Sequence, residues 1–82
     1  MKASDLAGKK ILVMGLGRFG GGVDVVRYAA GAGAHVTVTD LASEAQLADS
    51  IRRLDTCSGI AFRLGLHDPD DFASADMVVA NP

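Results

Sequence analysis

The chain has 82 residues, 49% of them hydrophobic and 22% charged, with a formal net charge of −2. That is enough for one small globular domain with a modest core, which must be built from aliphatic side chains because aromatics are only 5%. The acidic balance argues against nucleic-acid or anionic-membrane binding, and no apolar run approaches the ~20 residues of a membrane span.

The first nine residues read as a polar lead-in, with Gly8 as the break before a strand. Residues 10–15 form that first strand. It is almost wholly apolar, the pattern of a strand covered on both faces in a parallel sheet. It runs into Gly15-Leu16-Gly17-Arg18-Phe19-Gly20, a Gly-x-Gly-x-x-Gly turn. In this motif Gly15 allows the sharp exit from the strand, Gly17 lets the backbone approach a phosphate, and Gly20 lets the following helix pack closely. That helix is expected from about Phe19 to Ala32, with Val23, Val26 and Ala30 on its apolar face. Gly21 and Gly22 are poor helix formers, each about 1 kcal/mol worse than Ala, so the backbone must approach something there. Gly31 and Gly33 end the helix.

His35 to Asp40 alternates and is β-branched, which predicts a second strand. Asp40 closes it twenty residues after Gly20, where a nucleotide-binding unit of this kind carries an acid. Ser43 is a candidate N-cap for a second helix over Glu44 to Leu54, whose apolar stripe is Leu47, Ile51 and Leu54. Residues 55–59 form a turn and Ile60 to Leu64 a third strand. A short helical turn is expected at Pro69 to Phe72 and a fourth strand at Asp76 to Ala80.

Strands alternating with helices imply an α/β fold: a Rossmann-like, doubly wound parallel sheet of about four strands, in the order 3-2-1-4, with helices on both faces. The first two helices are expected on opposite faces. Ligands of such sheets bind at the carboxyl ends of the strands, where the order reverses. Gly15 to Gly20, Asp40 and Asn81 border that point. The whole of residues 1–82 is expected to be one domain.

Other residues carry plainer readings. Cys57 is a lone thiol with no activating neighbour, and His35 and His67 make no metal spacing. His67 reads as a loop residue with local hydrogen bonds. Asp68, Asp70 and Asp71 lack a calcium-loop pattern and read as a solvated acidic turn. The start of the chain shows no signal-peptide core, so a cytoplasmic setting is expected.

The residues also resemble a known family. Leu6 to Lys10 followed by Val13 to Gly20, Val36 to Asp40, and Leu64-Gly65-Leu66-His67 through Phe72 and Ala75 to Pro82 are similar to the first domain of Mur ligases of the D-glutamate-adding type. The resemblance implies that this domain binds the UDP part of UDP-N-acetylmuramoyl-L-alanine. It implies that the backbone of Leu16, Gly17, Arg18 and Phe19 holds the diphosphate, and that Asp40 with Leu41 meets the uracil. Asn81 stands where the family usually has serine before proline-glycine. Phe19 stands where a serine or threonine is common, so one hydroxyl contact is lost.

The resemblance further implies an ATP- and Mg-dependent ligase of peptidoglycan synthesis, with D-glutamate and ATP bound at other domains. It assigns no cofactor, metal or catalytic residue to residues 1–82. The chain has no Gly-x-x-x-x-Gly-Lys-Ser/Thr loop and no candidate base with an orienting partner, so it is expected to be inactive alone. A second reading is a regulatory NAD- or ATP-binding domain of a potassium-transport protein, where Asp40 would meet an adenosine ribose. A nicotinamide dehydrogenase comes third.

Overall fold

The computed structural model describes residues 3–17 and 21–81. A 3-10 turn at Ala3–Leu6 leads into strand β1 at Lys10–Met14. Helix α1 (Val23–Gly31), β2 (His35–Asp40), α2 (Ala48–Arg52), β3 (Ile60–Leu64), α3 (Pro69–Ser74) and β4 (Met77–Ala80) follow. All strand pairs are parallel, and the order across the sheet is β3-β2-β1-β4, as the sequence predicts.

Side chains alternate across each strand, and the two faces differ. Ile11 and Val13 of β1 and Val36 and Val38 of β2 face one way, into a core completed by Val23, Val26 and Ala29 of α1. Leu47 and Leu54, which flank α2, belong to the same core. The first two helices therefore share a face, against expectation. The reason lies in the direction of travel. From β1 to β2 to β3 the chain steps the same way twice, and two right-handed crossovers in one direction put both helices on one side. Only the step from β3 back to β4 reverses, so α3 is the element that covers the other face. Leu12 points to that face, where it is only 1% exposed.

Both long helical segments are shorter than expected. Helix α1 starts at Val23, with Gly22 as its N-cap. It ends in a paired motif in which Gly33 N–H bonds Ala30 C=O and Ala34 N–H bonds Ala29 C=O. Gly33 adopts φ +89°, the left-handed conformation this ending requires. In the second helical segment Ser43 does cap the first turn. Its Oγ accepts the Gln46 N–H at 3.3 Å, and Gln46 Oε1 accepts the Ser43 N–H at 2.9 Å. This is a reciprocal capping box. The turn it starts is irregular, and regular α-helix begins only at Ala48.

Helix α3 is longer than the single turn expected. Asp68 caps it by accepting the Asp70 N–H at 2.9 Å, with Pro69 at its first position. Asp71 is not solvated: its side chain is 15% exposed and lies 3.4 Å from the Arg63 guanidinium. The alternation of β3 sends Arg63 to the same face as α3, which brings the two together.

Candidate functional site

The carboxyl ends of β1, β2 and β4 meet at one edge of the fold. Met14, Gly15, Gly17, Asp40, Leu41, His67 and Asn81 line a cleft of about 370 Å³ there. A second hollow of about 290 Å³, which includes Lys10 and His35, sits near the strand starts under α3. The site expected for a doubly wound sheet is the first of these.

The glycine turn is shaped by backbone requirements at this edge. Gly15 has φ +96°, and a Cβ placed on it would lie 2.6 Å from the Asn81 carbonyl oxygen. Any side chain there would force β1 and β4 apart at their ends. Gly17 has φ +81°, but the nearest atom to an added Cβ is Gly21 N at 3.6 Å, an ordinary contact. Gly17 therefore needs glycine for its conformation, whereas its outward side is open. Among the described glycines, the least clearance is at Gly22, just before α1. A Cβ there would meet Gly15 O at 2.5 Å and Leu16 Cα at 2.8 Å. The unfavourable glycine before α1 thus serves packing against the turn. Arg18, Phe19 and Gly20 lie outside the described residues.

Leu16 divides its roles between side chain and backbone. The side chain is fully buried in the core. Its N–H donates to Asp40 Oδ2 at 2.9 Å, and the Gly17 N–H approaches the same oxygen at 3.4 Å. Asp40 Oδ1 accepts the Ala42 N–H at 2.9 Å. Burial works against the charged carboxylate. The N–H groups of Ala42, Leu16 and Gly17, with nearby His67, more than offset it, so the pKa of Asp40 falls below its ordinary 3.8. The acid at the end of β2 therefore ties the glycine turn to the second strand.

A second tie comes from Ser50, which the sequence did not single out. It is 1% exposed, and its hydroxyl donates to Gly17 C=O at 2.6 Å. A serine inside a helix carries no sequence signal for such a contact, because the partner is 33 residues away. Gly17 is thus held at its N–H by β2 and at its carbonyl by α2. On the other wall, Asn81 Nδ2 donates to Gly15 C=O at 3.3 Å, and the Asn81 N–H bonds Met14 C=O at 2.8 Å.

His67 stands in this cleft rather than on an unrelated loop. Its Nδ1 lies 2.7 Å from the hydroxyl of Thr39, a fully buried residue next to Asp40. Its ring meets Phe72 edge to face, with centroids 6.1 Å apart. The hydrogen bond of His67 is not the local one expected, since Thr39 lies 28 positions away, and it fixes the ring at the site. Leu41 is 68% exposed at the cleft rim. Of the expected site residues, Gly15, Leu16, Gly17, Asp40, Leu41 and Asn81 are brought together. Among the described residues no cluster of three or more His, Cys, Asp or Glu is placed to hold a metal ion, and no helix is long and apolar enough to cross a membrane.

No family model matches the chain. Several curated proteins do. Over 85 aligned positions covering all of this chain it is 46% identical to "UDP-N-acetylmuramoylalanine--D-glutamate ligase" of Borreliella afzelii. It is 52% identical over 79 positions to the protein of that name from Roseiflexus sp., and 44% over 77 positions to that of Treponema pallidum. The chain spans 18%, 16% and 14% of their lengths. These relatives do not favour the potassium-transport reading. Among solved structures, a chain of the covalent putidaredoxin reductase–putidaredoxin complex superposes with a TM-score of 0.60 over 94% of this chain, at 21% identity. At that identity the likeness speaks for the Rossmann-like fold alone. Along nearly its whole length, the chain matches the N-terminal domain of the D-glutamate-adding Mur ligases.

Proposed function

We propose that residues 1–82 form the unit that holds the UDP end of UDP-N-acetylmuramoyl-L-alanine, within a longer ATP-dependent ligase that adds D-glutamate during cytoplasmic peptidoglycan synthesis. The observation that carries this reading is the 44–52% identity to ligases of that name across 94% or more of the chain. The convergence of Gly15, Gly17, Asp40, Leu41 and Asn81 in one cleft supports it.

The glycine turn, the acid and the far wall divide the ligand between them. The N–H groups of Leu16 and Gly17 already point at a negative oxygen, that of Asp40. A diphosphate held by the backbone of Leu16, Gly17, Arg18 and Phe19 then shares the N–H groups of Leu16 and Gly17 with that carboxylate. Arg18 adds a cation of the kind that pairs with phosphate oxygens. Asp40 and Leu41 border the nucleoside, and Asn81 closes the wall beside Gly15.

In the complete ligase the terminal phosphoryl group of ATP would pass to the alanyl carboxylate with release of ADP, and the amine of D-glutamate would then displace phosphate to form the amide. This chain contributes the remote anchor. Binding energy gained at the nucleotide end positions the far end of a long substrate for chemistry elsewhere. Calorimetric titration of the chain with UDP, NAD and ATP at equal concentrations tests the reading. UDP is expected to bind most tightly. Tighter binding of NAD or ATP would assign the cleft to an adenine nucleotide instead.

A further inference from the structure

Ser50 commits a buried hydroxyl to a distant partner. Inside a helix a serine ordinarily bonds the carbonyl four residues back or turns to water. Ser50 does neither: it is 1% exposed, and its Oγ donates to Gly17 C=O at 2.6 Å, across 33 positions. The direction of this bond is fixed, because a carbonyl oxygen only accepts. Leu47 and Leu54 anchor the segment in the core on either side of Ser50, so the hydroxyl is held where it is.

Gly17 is a residue that needs such a hold. Its φ of +81° lies in the left-handed region, and without a Cβ a glycine lets the peptide unit that follows it rotate at little cost. That unit is planar and trans, so its C=O and its N–H point in opposite directions. Gly17 lines the cleft, whereas Ser50 is buried in the core. With the Gly17 carbonyl drawn inward onto Ser50, the N–H of the same unit, that of Arg18, is directed outward. Rotated the other way, the unit would present a carbonyl oxygen to the open side and repel an anion there. Asp40 fixes the N–H groups of Leu16 and Gly17, and Ser50 fixes the carbonyl that comes next. We propose that Ser50 is a positioning residue for the diphosphate: from α2 it holds Gly17 C=O inward, which turns the Arg18 N–H toward the ligand. Ser50 itself touches no ligand. The proposal rests on the UDP reading above and deepens it.

Two measurements test it on the chain as it stands. Amide NMR of the wild type, titrated with UDP and with uridine at millimolar concentration, reads the orientation. The Arg18 amide is expected to shift with UDP and to stay in place with uridine. UDP binding that leaves the Arg18 amide unmoved, or an equal shift with uridine, overturns the proposal and leaves the UDP reading standing. The same titrations are then run on Ser50→Ala, below its thermal midpoint. UDP affinity is expected to fall about tenfold, the worth of one hydrogen bond to a charged group, while uridine affinity changes by less than about twofold. A serine that serves the fold alone would weaken both ligands alike through loss of folded chain. That result overturns the proposal, as does unchanged UDP affinity. Ser50→Cys keeps the size of the side chain but donates weakly, and it is expected to lose UDP affinity in the same selective way. It decides the matter should Ser50→Ala not fold. Failure of UDP to bind the wild type removes the parent reading, and the proposal with it.

Discussion

The backbone N–H of Leu16 donates to the carboxylate of Asp40 at 2.9 Å, joining residues 24 positions apart. The contact makes the acid at the end of β2 a structural clasp on the glycine turn. It also gives stability a pH dependence with a definite sign. The folded pKa of Asp40 lies below 3.8, so the unfolded chain takes up the proton first as pH falls. The stabilisation is complete above pH 3.8 and disappears as pH falls through the lower folded value. Thermal melts of wild type and Asp40→Asn should therefore differ most near neutrality and converge in acid. A difference that widens on acidification would contradict the clasp.

Gly17 and Gly22 should respond to substitution in opposite ways. At Gly17 an added side chain finds open space and pays only for left-handed backbone, about 1–2 kcal/mol. Gly17→Val is expected to stay folded by circular dichroism and to lose nucleotide binding, because its side chain stands in the ligand's path. Asp40→Asn should impair binding less, since it keeps an acceptor. At Gly22 an added methyl would stand 2.5 Å from Gly15 O. Gly22 is the N-cap of α1, where Ala is no better than Gly, so nothing offsets the clash with rigid backbone and Gly22→Ala should lower the thermal midpoint. A Gly22→Ala chain more stable than wild type would show that the turn can move aside.

Ser50→Ala removes the buried hydroxyl that holds Gly17 C=O. Leaving that carbonyl unpaired should cost about 1–2 kcal/mol, or roughly 4–16 °C in thermal midpoint for a domain of this size. Hydrogen exchange at the Gly17 amide should accelerate more than exchange in the middle of β1. Equal acceleration throughout would mean that Ser50 supports the fold at large rather than the turn.

The legible parts were those set by local geometry. Gly15 and Gly17 are glycines because the chain needs positive φ where it leaves β1, and that need is written in the spacing. Asp40 was legible from its distance to the turn, although its clasp on Leu16 was not. The placement of α1 and α2 on one face follows from two successive crossovers in one direction, which the strand order contains. Ser50, Thr39 and Asp71 were hidden for a different reason. Their partners, Gly17, His67 and Arg63, are brought near only by the folded chain, and no periodicity encodes such pairs.

The division of labour predicts a null result in catalysis. Given ATP, magnesium, UDP-N-acetylmuramoyl-L-alanine and D-glutamate, the 82-residue chain should release no phosphate above a matched blank. Turnover by the chain alone would place catalytic groups within it.

The central claim is that the cleft between the ends of β1, β2 and β4 is a UDP site. The most direct measurement is amide NMR of the chain titrated separately with UDP, NAD and ATP. The account predicts that UDP causes the largest shifts, concentrated at Gly15, Gly17, Asp40, Leu41 and Asn81, with β3 and the outer turns of α1 unmoved. Larger shifts with NAD or ATP at the same residues, or UDP shifts centred on the hollow under α3, would contradict it.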